Sequence, residues 1–413
     1  MKILYLHQYF NTPAMSGGTR SFEMARRLVE WGHEVHMITS ERAGLLSPGQ
    51  KWHKTEEAGI HVYWTSIPYS NKLSYSQRIK AFFSFSWRAA RKAVEIGGDI
   101  VFATSTPLTI ALPGVYASKR LKIPMVFEVR DLWPEVPIAL GALKNPLTKY
   151  SARWLEQFAY KNSSRIIALA PGMKEHIVGK GYPAEKITVI PNGCDMELFD
   201  VRKTAREAVR NKYDWLRDRP LVVYAGTLGM VNGVGFLVEL AEATNCISPD
   251  IRFVVIGSGR EEDIIRKYAE DKKVLDKNFF MLGRIPKAEL PNWLSAATVC
   301  AILYNGPEIV WRDSVPNKFF DCIAAKKPFI SNIRGWSQAT GEKAGAGLIL
   351  DMNNIQEAAK QLYDSLGDTK WLENASQAAK GLAKEFDREK LAKNLEAVLL
   401  EACTQKSTTW RTR

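Results

Sequence analysis

Apolar positions along this chain come in two styles. Some are short unbroken runs, and others recur every three or four residues. The runs at residues 2–6, Glu34–Thr39, Asp99–Ala103, Pro124–Glu128 and Arg165–Ala168 predict buried strands. Between them lie helical patterns, such as Phe22, Ala25, Leu28 and Val29 with Arg26, Arg27 and Glu30 on the other side. Strands alternating with helices imply a parallel sheet covered on both faces.

The same grammar restarts after Asn192-Gly193. A polar stretch, Asp200–Arg219, reads as a connection. Leu221–Ala225 is then a strand, Phe236–Ala243 a helix, and Arg252–Ile256, Phe279–Leu282, Val299–Leu303 and Pro328–Ser331 are later strands. From about Trp371 the chain reads as helices, with a frayed basic tail over Thr404–Arg413. The expected division is 1–195, 196–385, and a C-terminal helix and tail over 386–413 that crosses back to the first domain. A chain of 413 residues, 46% hydrophobic and 24% charged, agrees with two globular domains and excludes a disordered one.

Charge and cysteines narrow the class. A net charge of +13 implies an anionic partner. The five cysteines (Cys194, Cys246, Cys300, Cys322, Cys403) form no CxxC pair, which argues against a zinc site or disulfide framework and fits a reducing cytoplasm. Residues 2–6 are too short an apolar run for a signal peptide, and no stretch has the length of a membrane-crossing helix. The expected location is cytoplasmic, peripheral on the inner face of the cell membrane.

Open parallel sheets bind ligands at the carboxyl ends of their strands. Chemistry-bearing residues gather at several such places. Gly17-Gly18-Thr19-Arg20 opens a helix, where exposed amides favour an anion; a plain tight loop is the alternative. It is not the GxGxxG fingerprint, which weakens a nicotinamide-cofactor reading. Glu128, Arg130, Asp131 and Glu135 cluster just past a strand, as a ligand site or as an ion pair of Arg130 with Asp131 or Glu128. Asp313, Asn317, Lys318 and Asp321 surround a helix beginning near Pro316, where a lysine makes a diphosphate clamp and a carboxylate can accept sugar hydroxyls. The loops Gly226-Thr227-Leu228-Gly229 and Gly257-Ser258-Gly259-Arg260 follow strands of the second half. Their amides and Arg260 are candidate phosphate partners.

Residues 58–94 hold no acidic side chain and six basic ones. At about 100° per residue, Ile79, Phe82, Phe83, Ser86, Trp87 and Ala90 share one arc, with Phe85 left exposed among the cations. That pattern suits an anionic bilayer surface, contacted by Phe82, Phe85, Trp87 and Arg88; a core-facing helix with solvated charges is the alternative. No nucleic-acid motif accompanies the charge, so nucleic acid is not an expected partner.

In this order the motifs resemble the retaining glycosyltransferases of family 4 (group 1), over nearly the whole chain. The carrying residues are Gly17-Gly18, GHEV at Gly32–Val35, RDLWPE at Arg130–Glu135, IPNG at Ile190–Gly193, the Gly226–Gly229 loop, GSG at Gly257–Gly259, and the acidic pair ahead of AAKKP. The resemblance implies a GT-B fold: two Rossmann-like domains facing across a cleft. It implies a sugar-nucleotide donor, UDP-linked in this reading, and no metal or other cofactor.

The family's E-x7-E signature falls on Asp313, which would touch the donor sugar, and Asp321, which would touch the ribose. Both are one methylene shorter than glutamate. Lys318 then falls near the diphosphate, and Arg130-Asp131 near the donor sugar. The basic residues common in the loop after the second domain's first strand are replaced by Thr227 and Asn232. RDLWPE and VPNKFFD resemble the branch that builds bacterial surface polysaccharides, including amino-sugar transferases. The acceptor expected there is a lipid-diphosphate-linked glycan. A sugar-nucleotide epimerase, a soluble transferase of the same fold, and a non-enzymatic nucleotide-binding scaffold are the alternatives.

Overall fold

The computed structural model describes residues 1–15, 17–41, 50–67 and 74–409, with the backbone alone at Tyr75 and 405–409. Lys72 and the tail past 409 lie outside these residues. The first strands are β1 (Lys2–Leu6), β2 (Glu34–Glu41), β3 (His53–Glu57), β4 (Ile60–Ser66), β5 (Ile100–Thr104), β6 (Met125–Val129), β7 (Arg165–Ala168) and β8 (Ile187–Val189). Later come β9 (Leu221–Ala225), β10 (Arg252–Ile256), β11 (Phe279–Gly283), β12 (Val299–Ala301), β13 (Phe329–Ser331) and β14 (Gly347–Ile349). The helices begin with α1 (Arg20–Glu30), α2 (Tyr75–Ile96), α3 (Ala111–Leu121), α4 (Glu135–Ala139), α5 (Pro146–Lys161), α6 (Pro171–Gly179), α7 (Lys203–Asn211) and α8 (Gly235–Asn245). They continue with α9 (Glu262–Asp271), α10 (Leu290–Ala296), α11 (Glu308–Trp311), α12 (Asn317–Ala324), α13 (Trp336–Lys343), α14 (Ile355–Gly367), α15 (Thr369–Glu385) and α16 (Arg388–Thr409). One compact unit is Met1–Pro191 plus the chain from Arg388; the other is Asn192–Asp387.

The first unit's sheet runs β3-β4-β2-β1-β5-β6-β7-β8, and among the described residues only β3–β4 is antiparallel. Side chains alternate between its faces. Ile3, Tyr5 and Phe102 pack with α1 and with Leu391, Leu395 and Val398 of α16. On the opposite face α3 lies so close that a Cβ on Gly114 would sit 2.7 Å from Met125 Sδ. Arg27–Glu389 at 3.1 Å and His33–Glu396 at 2.8 Å hold α16 to α1 and to the turn after it. The helix continues to Thr409, well into the stretch expected to fray.

The β3–β4 hairpin was not anticipated. Ala58 and Gly59 carry φ of 51° and 77°, the paired positive values of a two-residue hairpin turn, and Ile60, Val62 and Trp64 alternate inward. Reading 58–94 as one basic aromatic run hid this period of two. Within α2, two further expectations are overturned. Phe85, expected outside, is 0% exposed, because Ala81, Phe85 and Ala89 at four-residue spacing form the buried stripe. Arg88 points back to β4 and donates to Thr65 Oγ1 at 2.9 Å and to Ser66 O at 3.2 Å.

The second unit's sheet runs β11-β10-β9-β12-β13-β14, all parallel. Its core joins Val222, Tyr224, Phe253 and Phe279 to Leu237, Leu240 and Leu362. The polar stretch read as a connection contains α7. Arg210 anchors it by donating to Ala296 O at 2.7 and 3.0 Å and to the carbonyls of Arg217 and Arg219. In each sheet the strand order reverses beside a central strand, at β1/β5 and at β9/β12. Such switch points are where open α/β sheets bind ligands.

Candidate functional site

At the carboxyl end of β9, Tyr224 is buried and donates its hydroxyl to Thr227 O at 2.8 Å. The same hydroxyl accepts from Lys318 Nζ at 3.2 Å, and the ammonium also donates to Asn232 Oδ1 at 3.0 Å. The cation lies 4.6 Å from the Tyr224 ring centre and 5.7 Å from that of Tyr304. Solvent reaches part of the Lys318 side chain, but its charged end is enclosed. Burial pushes its pKa down to about 7. A hydroxyl, a carboxamide oxygen and two aromatic faces surround the cation; none is a carboxylate.

Tyr304, past β12, is itself fixed. Its hydroxyl meets Ser314 Oγ at 2.7 Å, and its backbone N–H and C=O bond the Asn332 side chain at 3.0 and 2.8 Å. The Asn232-Gly233 turn packs directly on the backbone at Tyr304 and Asn305. Gly233 has φ of 58°, and a Cβ there would come 2.4 Å from Tyr304 O. Asn317 and Lys318 form the first turn of α12 behind Pro316, and Asp321 stands half-buried one turn later. Asp313 is buried, and Arg312 donates to its Oδ2 from Nε at 3.0 Å and from Nη2 at 2.9 Å.

The two glycine loops of this unit pack backbone on backbone. A Cβ on Gly257 would fall 1.8 Å from Gly226 O, and one on Gly259 2.0 Å from Leu228 O. This corrects one expectation. The Gly226 amide donates to Ile256 O at 2.9 Å and the Leu228 amide to Ser258 O at 3.1 Å, so neither faces a phosphate. Arg260 is exposed, whereas Arg284 at the end of β11 reaches the Ser258 hydroxyl.

In the first unit, Gly17 and Gly18 lead into α1. Gly17 holds φ of 123°, and Asn11 Nδ2 donates to Gly18 O at 3.3 Å. Arg20 turns inward and grips Glu128 at 3.0 Å from Nε and 2.8 Å from Nη2, while also donating to the carbonyls of Ile190 and Pro191. Burial alone would raise the Glu128 carboxyl. The charges of Arg20 and Arg130, with hydrogen bonds from Arg20 and Thr104, outweigh it and hold the pKa below the ordinary value.

Neither expected ion pair of Arg130 forms the contact seen. Its guanidinium meets His7 Nε2 at 3.3 Å and its amide donates to Ser105 Oγ at 3.0 Å. Asp131 is exposed and accepts from Thr106 Oγ1 at 3.2 Å. Thus His7, Ser105, Thr106, Arg130 and Asp131 converge at the ends of β1, β5 and β6, and Glu135 departs to Arg153 at 3.0 Å. Of the α2 residues, Trp87 is 65% exposed and Phe82 half-buried.

Tyr224, Asn232, Tyr304, Arg284, His7 and Arg20 were not anticipated as partners of these sites. Tyr224 lies within β9 and gave no such signal; the others lie shortly past a strand or in a motif already singled out.

Two α/β units, each with polar residues gathered at the switch point of its sheet, have the architecture of the GT-B fold. HepE of Anabaena, solved in complex with UDP, superposes with a TM-score of 0.73 at 18% identity, covering 97% of this chain and 100% of HepE. Residues 17–193 match the glycosyl transferase 4-like domain, and residues 205–382 match the glycosyl transferases group 1. The chain belongs to the group 1 glycosyltransferases of family 4.

Among curated relatives, the probable glycosyltransferase WbjE of Pseudomonas aeruginosa is 24% identical over 271 residues, 64% of this chain and 65% of WbjE. The UDP-Gal:alpha-D-GlcNAc-diphosphoundecaprenol alpha-1,3-galactosyltransferase of Escherichia coli is 27% identical over 227 residues, 52% of this chain and 55% of that enzyme. Among the described residues, no helix is long and apolar enough to cross a membrane.

Proposed function

We propose that this enzyme is a retaining transferase. It would move a sugar from a UDP-linked donor to a lipid-diphosphate-linked glycan. The acceptor would be presented at the inner face of a bacterial membrane during O-antigen, capsule or exopolysaccharide synthesis. The observation that carries the reading is the Lys318 ammonium, enclosed by Tyr224, Asn232 and Tyr304 with no carboxylate among its partners. A buried cation so placed is stabilised by an arriving anion. Its contact with Asn232 returns, from α12, the positive charge that the loop after β9 lacks.

In the reaction, the bond between the sugar's anomeric carbon and the diphosphate oxygen breaks. A bond to an acceptor hydroxyl forms on the same face, and the hydroxyl proton passes to the leaving diphosphate. Lys318, Thr227, Arg260 and the first turn of α12 at Asn317 stabilise the charge that develops there. Asp321 binds the ribose. Asp313 orients the sugar; for the first unit, the resemblance gives Arg130-Asp131 a contact with the sugar and Gly17-Gly18 one with the donor. Gly226 serves by close packing, without donating its amide. UDP in HepE and the UDP-sugar and diphosphoundecaprenol in the galactosyltransferase's name support the donor and acceptor classes.

A thermal-shift panel tests this. UDP should raise the melting temperature, with a gain of about 2.7 kcal/mol at a hundredfold excess over Kd. GDP and NAD should not, and Lys318→Ala should abolish the response. A chain stabilised by none of these nucleotides, or equally by all of them, sinks the proposal.

A further inference from the structure

Helix α5 is turned the opposite way from an ordinary surface helix. Its inward side carries Glu156, Ala159 and Tyr160. Its outward side shows Leu147, Tyr150 and Trp154, at 71%, 70% and 54% exposure. These recur at three- and four-residue spacing along one arc, and Phe158 continues it, stacked on Trp154 with ring centres 5.2 Å apart.

What fixes this register is the buried carboxylate. Glu156 meets Tyr160 Oη at 3.2 Å and His176 Nε2 at 3.0 Å, and Lys180 stands 3.6 Å away. Rotating α5 to bury its aromatics would expel that cluster. Core packing therefore does not account for the apolar side.

The face is not isolated. α3 packs against both α5 and α2 in one layer, and Lys119 of α3 lies 6.0 Å from the Phe158 ring centre. Tyr116 of α3 and Phe83 and Trp87 of α2 are exposed too. The three helices carry ten lysines and arginines against two acidic residues, Glu95 and the buried Glu156.

We propose that the outer face of α5 docks on an anionic bilayer, with Tyr116, Phe83 and Trp87 of the same helix layer seated beside it. Aromatic and leucine tips set among cations match the boundary between headgroups and acyl chains, and the cations match anionic lipid. A second copy of the chain fits worse, since a two-fold contact would set this basic face against itself. The inference rests on the lipid-linked-acceptor reading, because it supplies the surface that brings the enzyme to such an acceptor.

The test is sedimentation of the full chain with vesicles of phosphatidylcholine, with and without phosphatidylglycerol. Two variants are compared with the unsubstituted protein: Tyr150→Ser with Trp154→Ser, and Phe83→Ser with Trp87→Ser. All four positions are exposed, and unchanged melting temperatures verify folding. The unsubstituted protein should pellet only with phosphatidylglycerol present, and the α5 variant should partition at least about tenfold more weakly. Its stabilisation by UDP should stay intact.

If the α5 variant pellets as well as the parent while the α2 variant does not, the α5 inference falls and the lipid-acceptor reading survives. If the parent never pellets, docking is refuted, while the UDP response still reports on the donor site separately. Loss of a dimer in the α5 variant by sedimentation velocity would overturn the bilayer in favour of self-association.

Discussion

Replacing Lys318 by methionine keeps the length of the side chain and removes its charge. Its partners, the Tyr224 hydroxyl and Asn232 Oδ1, are neutral. A hydrogen bond to a charged group contributes about 1.5–3 kcal/mol, so a UDP-sugar should bind about 10- to 150-fold more weakly. The pH dependence is the sharper consequence. With a pKa near 7, Lys318 is largely neutral in the free protein at about pH 8.

A bound diphosphate favours the charged form and lifts that pKa. The complex then holds more protons than the free enzyme, and affinity falls about tenfold per unit as pH rises above about 7. The diphosphate of a UDP-sugar keeps constant charge over about pH 6 to 9. Calorimetry in two buffers of different ionisation enthalpy should therefore find about 0.9 proton taken up per ligand at about pH 8, given the pKa near 7. For Lys318→Met the uptake should vanish. Equal uptake in both proteins, or none in either, would refute the reasoning. Sign matters for the free fold as well. A lysine depressed on folding leaves the unfolded chain binding more protons, so stability of the ligand-free protein should rise between about pH 7 and 10.

Two further outcomes concern stability. Glu128→Gln leaves Arg20 buried beside a neutral partner and should cost about 3–5 kcal/mol in urea unfolding, most of it recovered when Arg20→Met is added. Because the folded Glu128 pKa is held low, the pair's contribution is present above the unfolded carboxyl value of about 4.3 and is lost as pH falls through the lower folded one. Phe85→Ser should destabilise the first unit by about 3–5 kcal/mol, read by thermal or urea unfolding; a change within about 0.5 kcal/mol would contradict its buried placement.

The sheets were legible because β1, β5, β9 and β10 each hold an apolar run of four or five residues, and a strand buried on both faces needs nothing else. The site's position followed from the same reading, since motifs just past such strands fall at their carboxyl ends. Partners were not legible. Arg20 and Glu128 lie 108 residues apart, and no local spacing reveals a pair set by sheet order. Lys318 stood out by its place at a helix start, but Tyr224 and Asn232, its contacts, looked like core and loop. In α2 Phe83 and Trp87 of the apolar arc do face outward, but Phe85, placed among the cations, enters the core. Small residues, Ala81 and Ala89, let the helix approach the sheet and chose the side that Phe85 entered. Helix α5 was not legible from periodicity, because a buried carboxylate, Glu156, shares its inward side with Ala159 and Tyr160 while Leu147, Tyr150 and Trp154 stay exposed.

The helix α16 gives the first unit a part of its interior that is made last. Leu391, Leu395, Val398 and Leu399 share a cluster with Ile3, Tyr5 and Phe102 of the opening strands. On the ribosome, the second unit can close around its own sheet while the first still presents an uncovered apolar groove along α1. That nascent groove stays open to chaperones until α16 has left the ribosome and packed against it.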